Sequence, residues 1–172
     1  TSITVTWKQD PKKIVTINNL QDQLLKDLYL TMLNQRLEEK VKEKKSVLVT
    51  ANSSSGQWVE TKEFTSIRLS CDDDNILTGL KESLKLLSSV KKLGFIDSEL
   101  IRSKADYEAR LKRKFNNRNK TESNRLIWNI VGHYLSNDEF PGIEWKHNII
   151  PGLIDNINIQ DINNLSFEIF PE

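Results

Sequence analysis

Ile3, Val5 and Trp7 alternate with Thr4, Thr6 and Lys8, the period of a half-buried strand. Asp10-Pro11-Lys12-Lys13 breaks that run, and the period then becomes helical. Leu24, Leu25, Leu28, Met32, Leu33, Leu37 and Val41 form one apolar stripe, with Lys26, Asp27, Asn34 and Glu38 off it. Asn18 followed by Gln21 reads as the capping box of this helix, and Arg36 to Lys45 as its solvated, charged end. A strand is predicted from Val47 to Ser53, a polar turn at Ser54-Ser55-Gly56-Gln57, and a second strand from Trp58 to Cys71. In that second strand Ile67, Leu69 and Cys71 share one face. Two strands around a glycine-containing turn predict an antiparallel hairpin.

Helical periodicity returns after Asp72. Ile76, Leu77, Leu80, Leu84, Leu87 and Val90 make a stripe that stops at Lys91-Lys92-Leu93-Gly94, where cations and a glycine suit a helix C-terminus. Asp97 or Ser98 is placed to cap the next helix, which carries Leu100, Ile101, Ala105, Leu111 and Phe115 to about Asn116. Thr121 caps a third, through Leu126, Ile127, Ile130, Val131 and Tyr134. Phe140-Pro141-Gly142 turns the chain, a short helix spans Ile143 to Ile150, and Asn158 with Asp161 opens a last helix to near Phe170. Strand, helix, hairpin and then helices is the order of an α+β two-layer sandwich, a mostly antiparallel sheet under several helices. Three strands are few for so many helices, so at least one more strand is expected from elsewhere in a longer parent protein.

Composition narrows the function more than it names one. The 172 residues suit one domain, 1–172, whose strand-like start and late last helix are expected of a piece truncated at its C-terminal end. Lys and Arg number 25 against 24 Asp and Glu, so no global field favours nucleic acid or an anionic membrane. No apolar run nears the roughly 18 residues of a membrane span, and no leader segment is apparent. The single cysteine, Cys71, excludes an internal disulfide framework and reads as a small buried apolar residue.

Zinc chemistry needs three converging protein ligands. Only His133 and His147 are present, with a Pro-Gly turn between them and no His-x-x-Glu-His or its inverse. Asp72-Asp73-Asp74 lacks the glycine and spacing of a calcium loop, and negative charge ahead of a helix explains it. Ser54-Ser55-Gly56 is turn composition, not a nucleophile elbow. Arg110, Lys112, Arg113, Lys114, Arg118 and Lys120 fan around a helix rather than forming one patch, with Phe115 facing inward. The sequon-like triplets at Asn52, Asn119 and Asn164 carry no weight in a chain this rich in Asn and Ser. The expectation from the residues is no catalytic, cofactor or metal site.

Several stretches resemble a known family. They are Leu30-Thr31-Met32-Leu33-Asn34-Gln35-Arg36-Leu37-Glu38, Lys92-Leu93-Gly94-Phe95-Ile96-Asp97-Ser98-Glu99-Leu100 and Lys104-Ala105-Asp106-Tyr107. The most specific run is Asn116-Asn117-Arg118-Asn119-Lys120-Thr121-Glu122-Ser123, with His133-Tyr134-Leu135 and Pro141-Gly142-Ile143-Glu144-Trp145. Together they resemble the non-catalytic domain of pitrilysin/insulinase zinc peptidases, in their bacterial branch. The resemblance implies a fold of the mitochondrial-processing-peptidase-like metallohydrolase type and a domain that helps enclose a peptide-sized chamber. It also implies zinc held in a separate domain of the parent, with a peptide substrate and sister domains as partners. Neither nucleic-acid binding nor membrane insertion is implied, and the expected location is the periplasm or cell envelope. A scaffold or assembly domain of a catalytically dead homologue is the alternative.

Overall fold

The computed structural model describes residues 1–120, 123–136 and 141–170. The first strand, β1, is Ser2–Gln9; helix α1 is Ile17–Lys42; strands β2, Leu48–Val59, and β3, Lys62–Cys71, form the hairpin. Helices α2, Ile76–Leu93, and α3, Asp97–Asn116, follow, then α4, Ser123–Ser136, α5, Ile143–Asp155, and α6, Ile159–Ile169. Among the described residues the sheet has three strands in the order β1-β3-β2, with both pairings antiparallel. The architecture is the expected α+β sandwich.

Helix α1 is the hub. Leu24, Leu28, Tyr29, Met32, Leu33 and Leu37 are essentially inaccessible, and Leu30 nearly so. At about 100° per residue, Leu28 and Leu30 point to nearly opposite sides. A single stripe therefore undercounts what α1 buries: the sheet covers one side and the outer helices another. Phe95, Leu100, Ile150, Ile154, Ile162 and Phe170 complete this core, and Tyr29 meets Phe95 edge-on at 5.3 Å between ring centroids. Asn34, expected on the polar side, faces the sheet instead. Its Nδ2 donates to the Ser53 carbonyl at 3.0 Å, and its Oδ1 accepts from the Ser53 N–H at 2.6 Å.

The element boundaries carry several corrections. The N-cap of α1 is Thr16, whose Oγ1 accepts from Asn19 N–H at 3.2 Å while Asn19 Oδ1 accepts from Thr16 N–H at 3.2 Å. The predicted turn at Ser54 to Gln57 lies inside β2, and the hairpin turns at Glu60-Thr61. Serines sit in a strand here because hydroxyls pair across it: Thr50 with Ser70 at 2.6 Å and Ser54 with Ser66 at 3.1 Å. Ile96 caps α3 with Asp97 already helical, and its N–H donates to Glu99 Oε2 at 2.8 Å. Helix α5 does not stop at Ile150 but passes Pro151 to Asp155. The Asn158–Asp161 box opens α6 as expected. Thr121 and Phe140 lie outside the described residues.

Gly94 ends α2 at φ 72°, the left-handed region that favours glycine. The chain then bends so that Asn163 of α6 clamps Phe95: Oδ1 accepts from the Phe95 N–H at 2.7 Å and Nδ2 donates to its carbonyl at 3.2 Å. A Cβ on Gly94 would lie 2.7 Å from Asn163 Nδ2. Three stripes predicted as core are partly outside it. Leu77 and Leu84 of α2 and Ile101 of α3 are exposed, and α4 presents Ile127, Trp128, Ile130, Tyr134 and Leu135 to solvent.

Candidate functional site

The segment from Asp10 to Thr16 strings β1 to α1 without regular structure, because Pro11 cannot donate to a ladder and both lysines favour water. It crosses the molecule as a strap between two grooves. The first, about 660 Å³, lies between the strap, the first turns of α1, the tip of the β2–β3 hairpin and the start of α5. Val15, Ile17, Leu20 and Trp145 give it an apolar wall, and Lys12, Lys13, Lys26 and Lys146 line it with Glu60 and Glu63. The second groove, about 1000 Å³, lies against α6 and is the more acidic, with Asp10, Asp22, Asp161 and Glu168 on its walls.

Charge in the first groove is unevenly compensated. Lys26 Nζ stands 3.3 Å from Glu63 Oε1, and Lys12 reaches Glu168 on the other side of the strap at 3.9 Å. Lys146 has no carboxylate within ion-pair distance among the described residues, and neither has Lys114 of α3 nearby. Burial lowers the Lys146 ammonium from its usual range, and the Lys114 charge lowers it further. Beneath them Asp27 is pushed up by burial, against a 2.8 Å hydrogen bond from Gln23 and the charges of Lys26, Arg110 and Lys114.

The two outer strands differ as docking edges. β2 carries register shifts between Leu48 and Thr50 and between Gln57 and Val59, and the main-chain groups of Ser53 are occupied by Asn34. Bulges and plugs of this kind close an edge to further pairing. β1 instead runs its eight residues in unbroken register with β3, Ser2 opposite Ser70 through Gln9 opposite Glu63. Its outer main-chain groups have no strand beside them among the described residues. The strand continues into the strap, and its last residue, Gln9, lies on the second groove.

The residues weighed from sequence do not converge. Cys71 is buried with Leu48 and Leu69. His147 stacks on Phe115 at 4.1 Å, and Phe115 is covered on its other side by Arg118, 4.2 Å from the ring, which also pairs with Glu144 at 3.2 Å. His133 is exposed on α4. Asp73 pairs with the Thr1 amino group, and Ser54, Ser55 and Gly56 are strand residues. Of the basic stretch, Arg110 lies over Tyr107 and Arg118 is engaged as above, while Lys112 and Arg113 are exposed. Among the described residues no three His, Cys, Asp or Glu side chains are grouped to hold a metal ion. The strap grooves escaped the sequence reading, since Val15 and Ile17 follow neither period and their partner Trp145 is remote in the chain.

A three-stranded antiparallel sheet backed by this order of helices is the fold of a pitrilysin/insulinase-type peptidase domain. The chain is similar throughout to the first half of the periplasmic protease PqqL from Escherichia coli. The TM-score is 0.89 at 18% identity, over 98% of this chain and 36% of that one. A predicted insulinase family protease from Yersinia pestis gives 0.85 at 12%, over 97% and 36%. A peptidase M16 inactive domain from Pseudomonas fluorescens gives 0.63 at 13%, over 97% and 38%. The chain thus spans just over a third of the length of each. Neither a family model nor a curated protein matches the sequence. No helix among the described residues is long and apolar enough to cross a membrane.

Proposed function

We propose that this chain is a non-catalytic, substrate-enclosing domain of a zinc-dependent endopeptidase, forming part of the chamber that holds a peptide. The observation that carries the reading is the likeness of nearly the whole chain to the first half of PqqL, to an insulinase family protease and to an inactive peptidase domain. Zinc and the catalytic base belong, on this reading, to another domain of the parent. The β1 edge, with no strand beside it among the described residues, supports a holding role, because an extended peptide can add to an open strand through main-chain hydrogen bonds regardless of its side chains. PqqL is a periplasmic protein, and the same compartment is proposed here. The test is a peptidase assay with quenched fluorescent peptides, with and without a chelator. No cleavage is expected from this chain; cleavage that a chelator abolishes would overturn the proposal.

A further inference from the structure

We infer that the first strap groove is a binding subsite for acidic, apolar peptide segments, with Lys146 as its charge-reading residue. The inference deepens the peptide-holding role proposed above, by giving the held segment a chemistry. Val15, Ile17 and Trp145 leave apolar surface on the groove wall, at 61%, 52% and 39% exposure. Side chains left so open beside a concavity gain by covering one another with a partner's apolar groups.

The polar side of the same groove sets the sign of that partner. Glu63 is already held by Lys26, and Glu144 by Arg118, which removes two nearby carboxylates from competition. Lys146 and Lys114 face each other's charge without an anion in ion-pair range among the described residues. Asp27 lies within the field of this cluster but hydrogen-bonds to Gln23, and burial disfavours its charge. Glu60, at the hairpin end, is the remaining acidic lining group among the described residues. A carboxylate placed beside Lys146 offsets the repulsion from Lys114 and favours the ammonium form that burial disfavours, whereas a cation there adds to the repulsion.

The groove's lining also explains why a peptide suits it better than a polyanion. Among the described residues it has one aromatic side chain, Trp145, and no series of stacking platforms.

The experiment uses fluorescence anisotropy with three short labelled peptides, alternating an apolar residue with glutamate, glutamine or lysine. The glutamate peptide is expected to bind about tenfold tighter than the glutamine one at low salt, with the gap closing as salt rises. Lys146→Glu should abolish the preference, Lys146→Gln should reduce it, and Val15→Ser, which removes apolar surface without adding charge, should weaken the glutamate and glutamine peptides alike. Circular dichroism of each variant checks that it is folded. Equal affinity for the glutamate and glutamine peptides, or a preference that survives Lys146→Glu, overturns the subsite and leaves the peptide-holding role standing. Failure of every peptide to bind overturns both. Tighter competition by a single-stranded oligonucleotide than by the glutamate peptide also overturns the subsite.

Discussion

Arg36 and Glu99 show how one ion pair can tie three elements together. The guanidinium of Arg36, on α1, donates to both Glu99 oxygens at 2.7 and 2.8 Å and to the Gly94 carbonyl at 3.0 Å, and lies 4.6 Å from the Phe95 ring centre. Glu99 in turn accepts the Ile96 N–H that opens α3. Burial would raise the Glu99 carboxyl, but the Arg36 and Ile96 hydrogen bonds outweigh it and hold it below the usual 4.5. A carboxylate depressed in the folded state contributes stability above its unfolded value, and that contribution is lost as pH falls from about 4.5 through the lowered value. Glu99→Gln should therefore cost about 1–3 kcal/mol at neutral pH, where a charged partner is left half-buried. Urea unfolding at pH 7 and at pH 3 checks this: the wild-type advantage should shrink at the lower pH. An equal difference at both values would remove the electrostatic account.

At the scale of elements, legibility followed how local the cause was. The Asn158–Asp161 box and the Gly94 stop were readable because cap chemistry lies within a few residues of the helix end. Thr16 was missed because Asn18 with Gln21 offers the same signature two residues later, and only the backbone decides between them. Ser54 to Gln57 has turn composition because hydroxyls favour turns, but Ser66, twelve positions on, pairs with the Ser54 hydroxyl across the hairpin. Asn34 was set outside the core for the same reason: its partner Ser53 is nineteen positions on. The groove needed the strap, α1, the hairpin and α5 assembled at once, so no local pattern announced it. Gly94 offers a sharp check on the Asn163 clamp. Gly94→Ala meets both an unfavourable φ and Asn163, and should cost about 1–3 kcal/mol by thermal unfolding. Pairing it with Asn163→Ala should recover part of that loss; a strictly additive double variant would argue against the clash.

On the scale of the whole molecule, the distribution of apolar surface is the clearest departure from a self-contained domain. The core around α1 is closed, yet Ile127, Trp128, Ile130, Tyr134 and Leu135 of α4 stand between 54% and 85% exposed. Their spacing puts apolar groups on more than one side of the helix, so rotating it in place would not hide them all. A helix of this composition contributes little burial here and leaves its apolar faces to solvent. The consequence for this chain is a dissociation between composition and stability. Ile130→Ser and Tyr134→Ser should each change the unfolding free energy by no more than about 0.5 kcal/mol, the range of exposed substitutions. Leu33→Ala, in the closed core at 0% exposure, should cost about 2–5 kcal/mol. Urea titrations of the three variants decide the matter. A loss above about 2 kcal/mol at Ile130 or Tyr134 would mean that the isolated chain buries α4 against itself.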